Sequence, residues 1–211
     1  MLHKEHHIIS LDTFTLIQQL QSHPALQDYY LVGGTALALQ LGHRTSVDID
    51  LFTRNSFIPQ ELYEQLRNNF SVTITMERKN TMLAMINNVK TDFITHDYPL
   101  LQEPIQQEGI RMLGMQDIAA MKLHAIIQSG KRLKDFIDIY FLLEHYSMQQ
   151  IVDFFSSKYQ YMNAMIALKA VNYFNDIDED IDPPNMKDNL AIDLIKNRIT
   201  QATLHTTRVF K

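Results

Sequence analysis

The 211-residue sequence predicts an α+β chain, with strands and helices interleaved to about residue 113 and a mostly helical stretch over 114–211. Three observations carry that expectation. Residues 47 to 52, VDIDLF, alternate with period two. Three more strand-like runs, SVTITME, TMLAMI and VKTDFIT, follow before residue 96. From Met115 onward apolar residues recur at helical spacing, and no clear strand follows.

In chain order, the residues from Leu11 to about Gln21 describe an opening helix, and the apolar strand YYLV runs straight into Gly33 and Gly34. TALALQL then reads as helix. After the turn GHRTS, the alternation of VDIDLF puts Val47, Ile49 and Leu51 on one face and Asp48, Asp50 and Phe52 on the other. Pro59 fits the first turn of a helix that runs to about Asn69. Beyond the three strand-like runs, MQDIAAMKLHAII and LKDFIDIYFLLEHY are helices joined by SGKR. Methionines and aromatics from Tyr159 to Phe174 also recur at helical spacing, which predicts core. NDIDEDIDPPN is a non-regular, solvated connection, since Pro183 and Pro184 stop a helix.

With 45% hydrophobic residues the chain can bury a proper core. No apolar run is long enough to span a bilayer, and MLHKEHHIIS lacks the features of a secretory signal, so a cytoplasmic location is expected. The absence of cysteine excludes a disulfide framework, a thiol nucleophile and any zinc site with a Cys ligand. A net charge of -5 gives no global attraction to nucleic acid or to an anionic membrane. Its distribution is uneven. Arg111, Lys122, Lys131, Arg132 and Lys134 form a local basic zone against Asp117 alone, whereas Asp176 to Asp193 is acidic, with Asp188 among its members and Lys187 its single cation.

Aspartates at i and i+2 of a strand point the same way, so unpaired they repel and raise one another's pKa. A divalent cation removes that penalty. Oxygen-only ligands favour Mg²⁺ or Mn²⁺, and Mg²⁺ commonly completes its octahedron with water and phosphate oxygens, which predicts a phosphorylated substrate. A strand that ends in Gly-Gly and continues as a helix leaves backbone N–H groups with no side chain in the way, a turn that cradles phosphate. The Thr35 hydroxyl can serve a phosphate or cap the helix. Gly-Gly-Thr alone reads as a plain turn, and an isolated D-x-D as a solvated strand face. At this spacing, within strand, turn, helix, turn and strand, each strengthens the other.

GGTALALQLGHRTSVDIDLF resembles the first motif of the nucleotidyltransferase superfamily, and its TALALQ, GHR and DIDLF wording is similar to the AbiEii/AbiGii-type (MenT-like) toxin branch. The likeness extends to TDF in VKTDFITHDYP, to MKLHA and to KRLKDFIDIYFLL. It implies a nucleotidyltransferase-type mixed β-sheet with flanking helices as a catalytic domain over 1–113, and a helical domain over 114–211 that packs on it and completes the site. Asp48, Asp50 and, from a later strand, Asp92 are implied as the catalytic metal ligands. Gly33, Gly34 and Thr35 would hold phosphate, and Lys122, Lys134, Asp135 and Asp138 would bind nucleotide. A second lysine often described four residues after the first is Ile126 here.

The residues themselves admit plainer readings. Asp92 shares a strand face with Lys90 and Ile94, where an acid is ordinarily solvated. Lys122 shares a helix face with Ile118 and Ile126, so it either snorkels from the core edge or reaches a triphosphate. Lys134 with Asp138, and Lys131 with Asp135, stand at the spacing of surface ion pairs. His3, His6 and His7 read as part of a mobile terminus. Arg44, in the turn before VDIDLF, either pairs with an acid or contacts phosphate.

The activity implied by the resemblance is metal-dependent transfer of a nucleoside monophosphate from an NTP to an acceptor hydroxyl, a tRNA 3′ end, by the toxin of a toxin–antitoxin pair. A cognate antitoxin is implied with it. The basic zone is compatible with an RNA backbone. Two other classes remain open: a phosphotransferase acting on a protein or small molecule, and a non-catalytic nucleotide-binding module.

Overall fold

The computed structural model describes residues 1–186 and 190–211, so Lys187 and Asp188 of the acidic stretch lie outside the described residues. The chain divides into two compact units, Met1–Tyr98 with Glu103–Leu113, and Pro99–Gln102 with Gly114–Lys211.

The first unit begins with α1 (Leu11–Ser22), whose N-terminus is capped by Ser10 accepting from the Thr13 amide. It continues through β1 (Tyr30–Leu31), α2 (Gly33–Leu41), β2 (Ile49–Thr53) and α3 (Pro59–Leu66), with Pro59 in the first turn of α3. The strands β3 (Val72–Arg78), β4 (Thr81–Ile86), β5 (Val89–Thr95), β6 (Ile105–Gln107) and β7 (Ile110–Met112) complete one mixed sheet of order β3-β4-β5-β2-β1-β7-β6. β2 runs parallel to β5 and antiparallel to β1, and β1 is parallel to β7. Ile49, Leu51, Met82, Ala84, Ile86 and Phe93 are buried, so the alternation seen in the sequence becomes a core face and an open face.

Turn chemistry sets the register. Asn87 and Asn88, at φ 47° and 67°, form the two-residue connection from β4 to β5, a conformation asparagine tolerates better than most L residues. Ile86 therefore pairs with Val89 and Leu83 with Asp92. Across the other edge of β5, Asp92 pairs with Asp50.

Three expectations for this unit are corrected. β6 and β7, three residues each, are too short to show a period and were not expected. The strand of VDIDLF begins at Ile49, and Val47 is 55% exposed, so it does not share the buried face of Ile49 and Leu51. The N-terminus is anchored: Leu2, Ile8 and Ile9 are buried, the His3 amide donates to Leu39 O at 2.9 Å, and the Ser46 amide donates to Ile8 O at 2.9 Å. Apolar residues on either side of the histidines hold it down.

The second unit holds α4 (Met115–Gln128), α5 (Leu133–Leu142), α6 (Met148–Lys158), α7 (Ala164–Val171) and α8 (Ile192–Leu204). α4 packs against α5, α6 and α7. A capping box of Ser147 and Gln150 starts α6. At the far end of α6, Lys158 donates to Asp117 Oδ1 at 2.7 Å and to Pro99 O at 3.0 Å, and both charged side chains are wholly buried. Asp117 also accepts from the Leu101 amide at 3.1 and 3.2 Å. Segment Pro99–Gln102 is thereby tied to α4 and α6. The stretch Tyr159 to Phe174 is only partly core. Ala167 and Val171 are buried and Met165 and Ile166 exposed because the short helix α7 turns only one face inward; outside it Tyr159 is buried, and Tyr161 and Tyr173 are exposed.

The Lys158→Met variant should lose about 3 kcal/mol of stability, since Asp117 would be left in the interior without its partner. Denaturant midpoints check this, and the paired change Asp117→Leu with Lys158→Met should recover part of the loss. His124 of α4 stacks on Tyr159, 4.4 Å between centroids, and burial pushes its pKa below the ordinary histidine value. The unfolded chain then takes up a proton that the folded chain resists, so stability is full above the unfolded value and declines as pH falls from there to the folded value. His124→Gln should flatten that decline below about pH 6.5 in urea-melt series.

Candidate active site

α2 follows β1 without an intervening loop. Its N-cap is Val32, in extended backbone, and no side chain caps it. Helix geometry leaves the amides of Gly33, Gly34 and Thr35 without an acceptor inside the helix, the first ladder bond running from the Ala36 amide to Val32 O. Thr35 is not the cap: its buried hydroxyl bonds to Asp48 O and, at 2.8 Å, to Ser46 Oγ, fastening the approach to β2 beneath α2.

Each glycine is required by a neighbour. Gly33 has φ 68°, and a Cβ there would overlap Asp50 Oδ2. A Cβ on Gly34 would overlap Arg44 Nη2. One carboxylate and one guanidinium therefore lie against bare backbone at the start of the helix. Arg44 is 3% exposed and donates to Thr45 O at 3.0 Å.

Asp50 and Asp92 are direct partners in the parallel pairing of β2 with β5, and so emerge on the same sheet face. Asp48 lies just ahead of β2, two residues before Asp50. Lys90, two residues before Asp92 on β5, brings its Nζ to 3.9 Å from Asp48 Oδ2 and 3.8 Å from Asp92 Oδ2. The Asp48, Asp92 and Lys90 side chains are 36%, 15% and 54% exposed, so the cluster opens to solvent. No group of three or more His, Asp or Glu side chains among the described residues forms a ready-made metal cage. The donor set nonetheless suits a hard cation: it is oxygen-only, it sets Asp50 and Asp92 side by side on neighbouring strands with Asp48 just ahead of β2, and it already draws one ammonium to Asp48 and Asp92.

In the second unit, Lys122 of α4 places its Nζ 2.7 Å from Asp135 Oδ1 and 2.7 Å from Asp138 Oδ2 of α5, with all three side chains buried. It is enclosed and does not snorkel. The expected surface pairs give way to this arrangement, because Asp135 and Asp138 face inward. Lys134 pairs instead with Asp182, which also receives Arg132 Nη2 at 3.2 Å. Arg111, in the first unit, donates to Gln21 O and Leu26 O at 2.9 Å. Most of the cations of the basic zone are thus engaged internally and do not form one open basic strip. The sequence places Lys90 on the strand face of Asp92 but assigns it no role, and it leaves the place of Arg44 open, since nothing local marks the approach of Arg44 to Gly34.

The family model for the nucleotidyl transferase AbiEii toxin of type IV toxin–antitoxin systems matches residues 15–202. The uncharacterized protein aq_aa25 of Aquifex aeolicus is 34% identical over 166 residues, covering 74% of this chain and 80% of its own. Among solved structures, JHP933 from Helicobacter pylori superposes with a TM-score of 0.62 at 17% identity, over 93% of this chain and 91% of that one. MenT4, the nucleotidyltransferase toxin Rv2826c of Mycobacterium tuberculosis, gives 0.62 at 13% identity, over 94% and 83%. At such identities the two superpositions establish the fold, an α+β nucleotidyltransferase-type sheet with flanking helices.

Gly33→Ala should cost about 1–2 kcal/mol from the left-handed backbone alone, and should also push the Asp50 carboxylate out of place. A thermal melt reads the first effect. A crystal structure of the variant reads the second.

Proposed function

The chain belongs to the AbiEii nucleotidyltransferase toxin family, and from that premise we propose that it moves a nucleoside monophosphate from an NTP to an acceptor hydroxyl, a tRNA 3′ end, with Mg²⁺ or Mn²⁺ held by Asp48, Asp50 and Asp92. The observation that carries this reading is the position of Asp50, which lies against the Gly33 turn on one side and beside Asp92 on the other. A phosphate-binding turn and an acid cluster are thus one place.

In this mechanism the amides of Gly33 and Gly34 receive the triphosphate, with the Arg44 guanidinium adding positive charge beside Gly34. A divalent ion supplies charge neutralisation on the phosphates and acidifies the acceptor hydroxyl. Asp92 accepts the hydroxyl proton. The acceptor oxygen bonds to the α-phosphorus, the bond from that phosphorus to the bridging oxygen breaks, and pyrophosphate leaves. Of the second-unit residues expected to bind nucleotide, Lys122, Asp135 and Asp138 are committed to one another in a buried triad and Lys134 pairs with Asp182, so the Gly33 turn and Arg44 carry the proposed triphosphate contacts.

The toxin–antitoxin designation of the family supports a cognate antitoxin and action in the cytoplasm. Among the described residues no helix is long and apolar enough to cross a membrane.

Purified protein given Mg²⁺, an α-labelled NTP and tRNA should leave label on the RNA. Asp48→Asn and Asp50→Asn should each lower that rate by at least about a thousandfold, roughly 4 kcal/mol in barrier height, with little change in melting temperature. Transfer of γ-label instead would identify a phosphotransferase, and growth arrest by folded but inactive variants would identify a binding module.

A further inference from the structure

We infer that Lys90 is a displaceable counter-ion for the acid cluster, which neutralises Asp48 and Asp92 in the metal-free protein and must leave when the divalent ion enters, so that it sets the affinity of the site for metal. The inference rests on the assignment of Asp48, Asp50 and Asp92 as metal ligands.

The register of the sheet places this lysine. Lys90 and Asp92 are two apart on β5, so they share a face, and β5 runs parallel to β2, where Asp50 pairs with Asp92. One ammonium therefore stands 3.8 and 3.9 Å from two carboxylates at once. Both distances exceed a hydrogen bond, so the charge is shared between the acids and fixed to neither.

Exposure makes the contact reversible. The Lys90 side chain is 54% exposed, and the side chain can swing into water at little cost. The contrast with Lys122 is direct: that lysine is 8% exposed and lies 2.7 Å from each of its acids, a committed ion triad. A divalent ion held by Asp48 and Asp92 would repel an ammonium left between them. The two cations compete for the same oxygens, and the doubly charged one prevails at sufficient concentration.

The test is a Mn²⁺ titration of nucleotide-free protein at fixed ionic strength, with free Mn²⁺ counted by its electron paramagnetic resonance signal. Lys90→Met, which keeps the length and removes the charge, should bind Mn²⁺ about tenfold more tightly than the unaltered protein, the scale expected for losing one cation near the site. Lys90→Arg should stay within about twofold of the unaltered protein, since the charge is retained. Equal Mn²⁺ affinity in Lys90→Met and the unaltered protein, or a weaker one in Lys90→Met, would overturn the counter-ion role and leave the metal site standing. Absence of saturable uptake by every form would overturn the metal site and this inference together.

Discussion

Gathering negative charge on one face of a sheet is the constraint around which the first unit is arranged. Backbone pairing of β2 with β5 brings Asp50 and Asp92 together whether or not the carboxylates favour it, and the buried row behind them, Ile49, Leu51 and Phe93, holds the strands in that register. Repulsion among the acids is small beside the burial of that row, at about 2 kcal/mol for each large apolar side chain. The fold can therefore sustain a local electrostatic conflict, and that conflict draws the Lys90 ammonium to Asp48 and Asp92.

The chain treats its carboxylates in two contrasting ways. Asp135 and Asp138 close on Lys122, and Asp117 closes on Lys158, in contacts of 2.7 Å shut off from water. Groups so enclosed are costly to separate and serve to fix helices in place. Asp48 and Asp92 keep access to solvent and share a loosely held cation. Tightly held charge is buried, and loosely held charge is left open.

Local patterns were readable in the sequence, and tertiary ones were not. The strand at VDIDLF, the helix begun by Pro59 and the helix of MQDIAAMKLHAII follow from periodicity and caps, and each forms within a few residues of its expected span. The glycine turn was legible in the Gly-Gly pair between strand and helix, and Asp50 lies on β2 as expected, whereas Asp48 falls just ahead of the strand. The partners of Lys122 were not legible, since residues 13 and 16 positions away leave no local trace, while the nearer i, i+4 spacing suggested surface pairs. The N-terminus misled for a related reason. Its polar composition hides three apolar side chains, Leu2, Ile8 and Ile9, whose burial depends on surfaces formed far along the chain.

The exposed pair Asn87 and Asn88 lies away from the acid cluster, and Asn87 Oδ1 accepts from the Ser71 amide at 2.9 Å. One added or deleted residue in this connection would slip β5 against β4 by one position, and a one-residue slip turns every side chain to the opposite face. Asp92 would be driven toward the core and Phe93 toward water. The number of residues in this connection is thus part of the site, although none of them touches it.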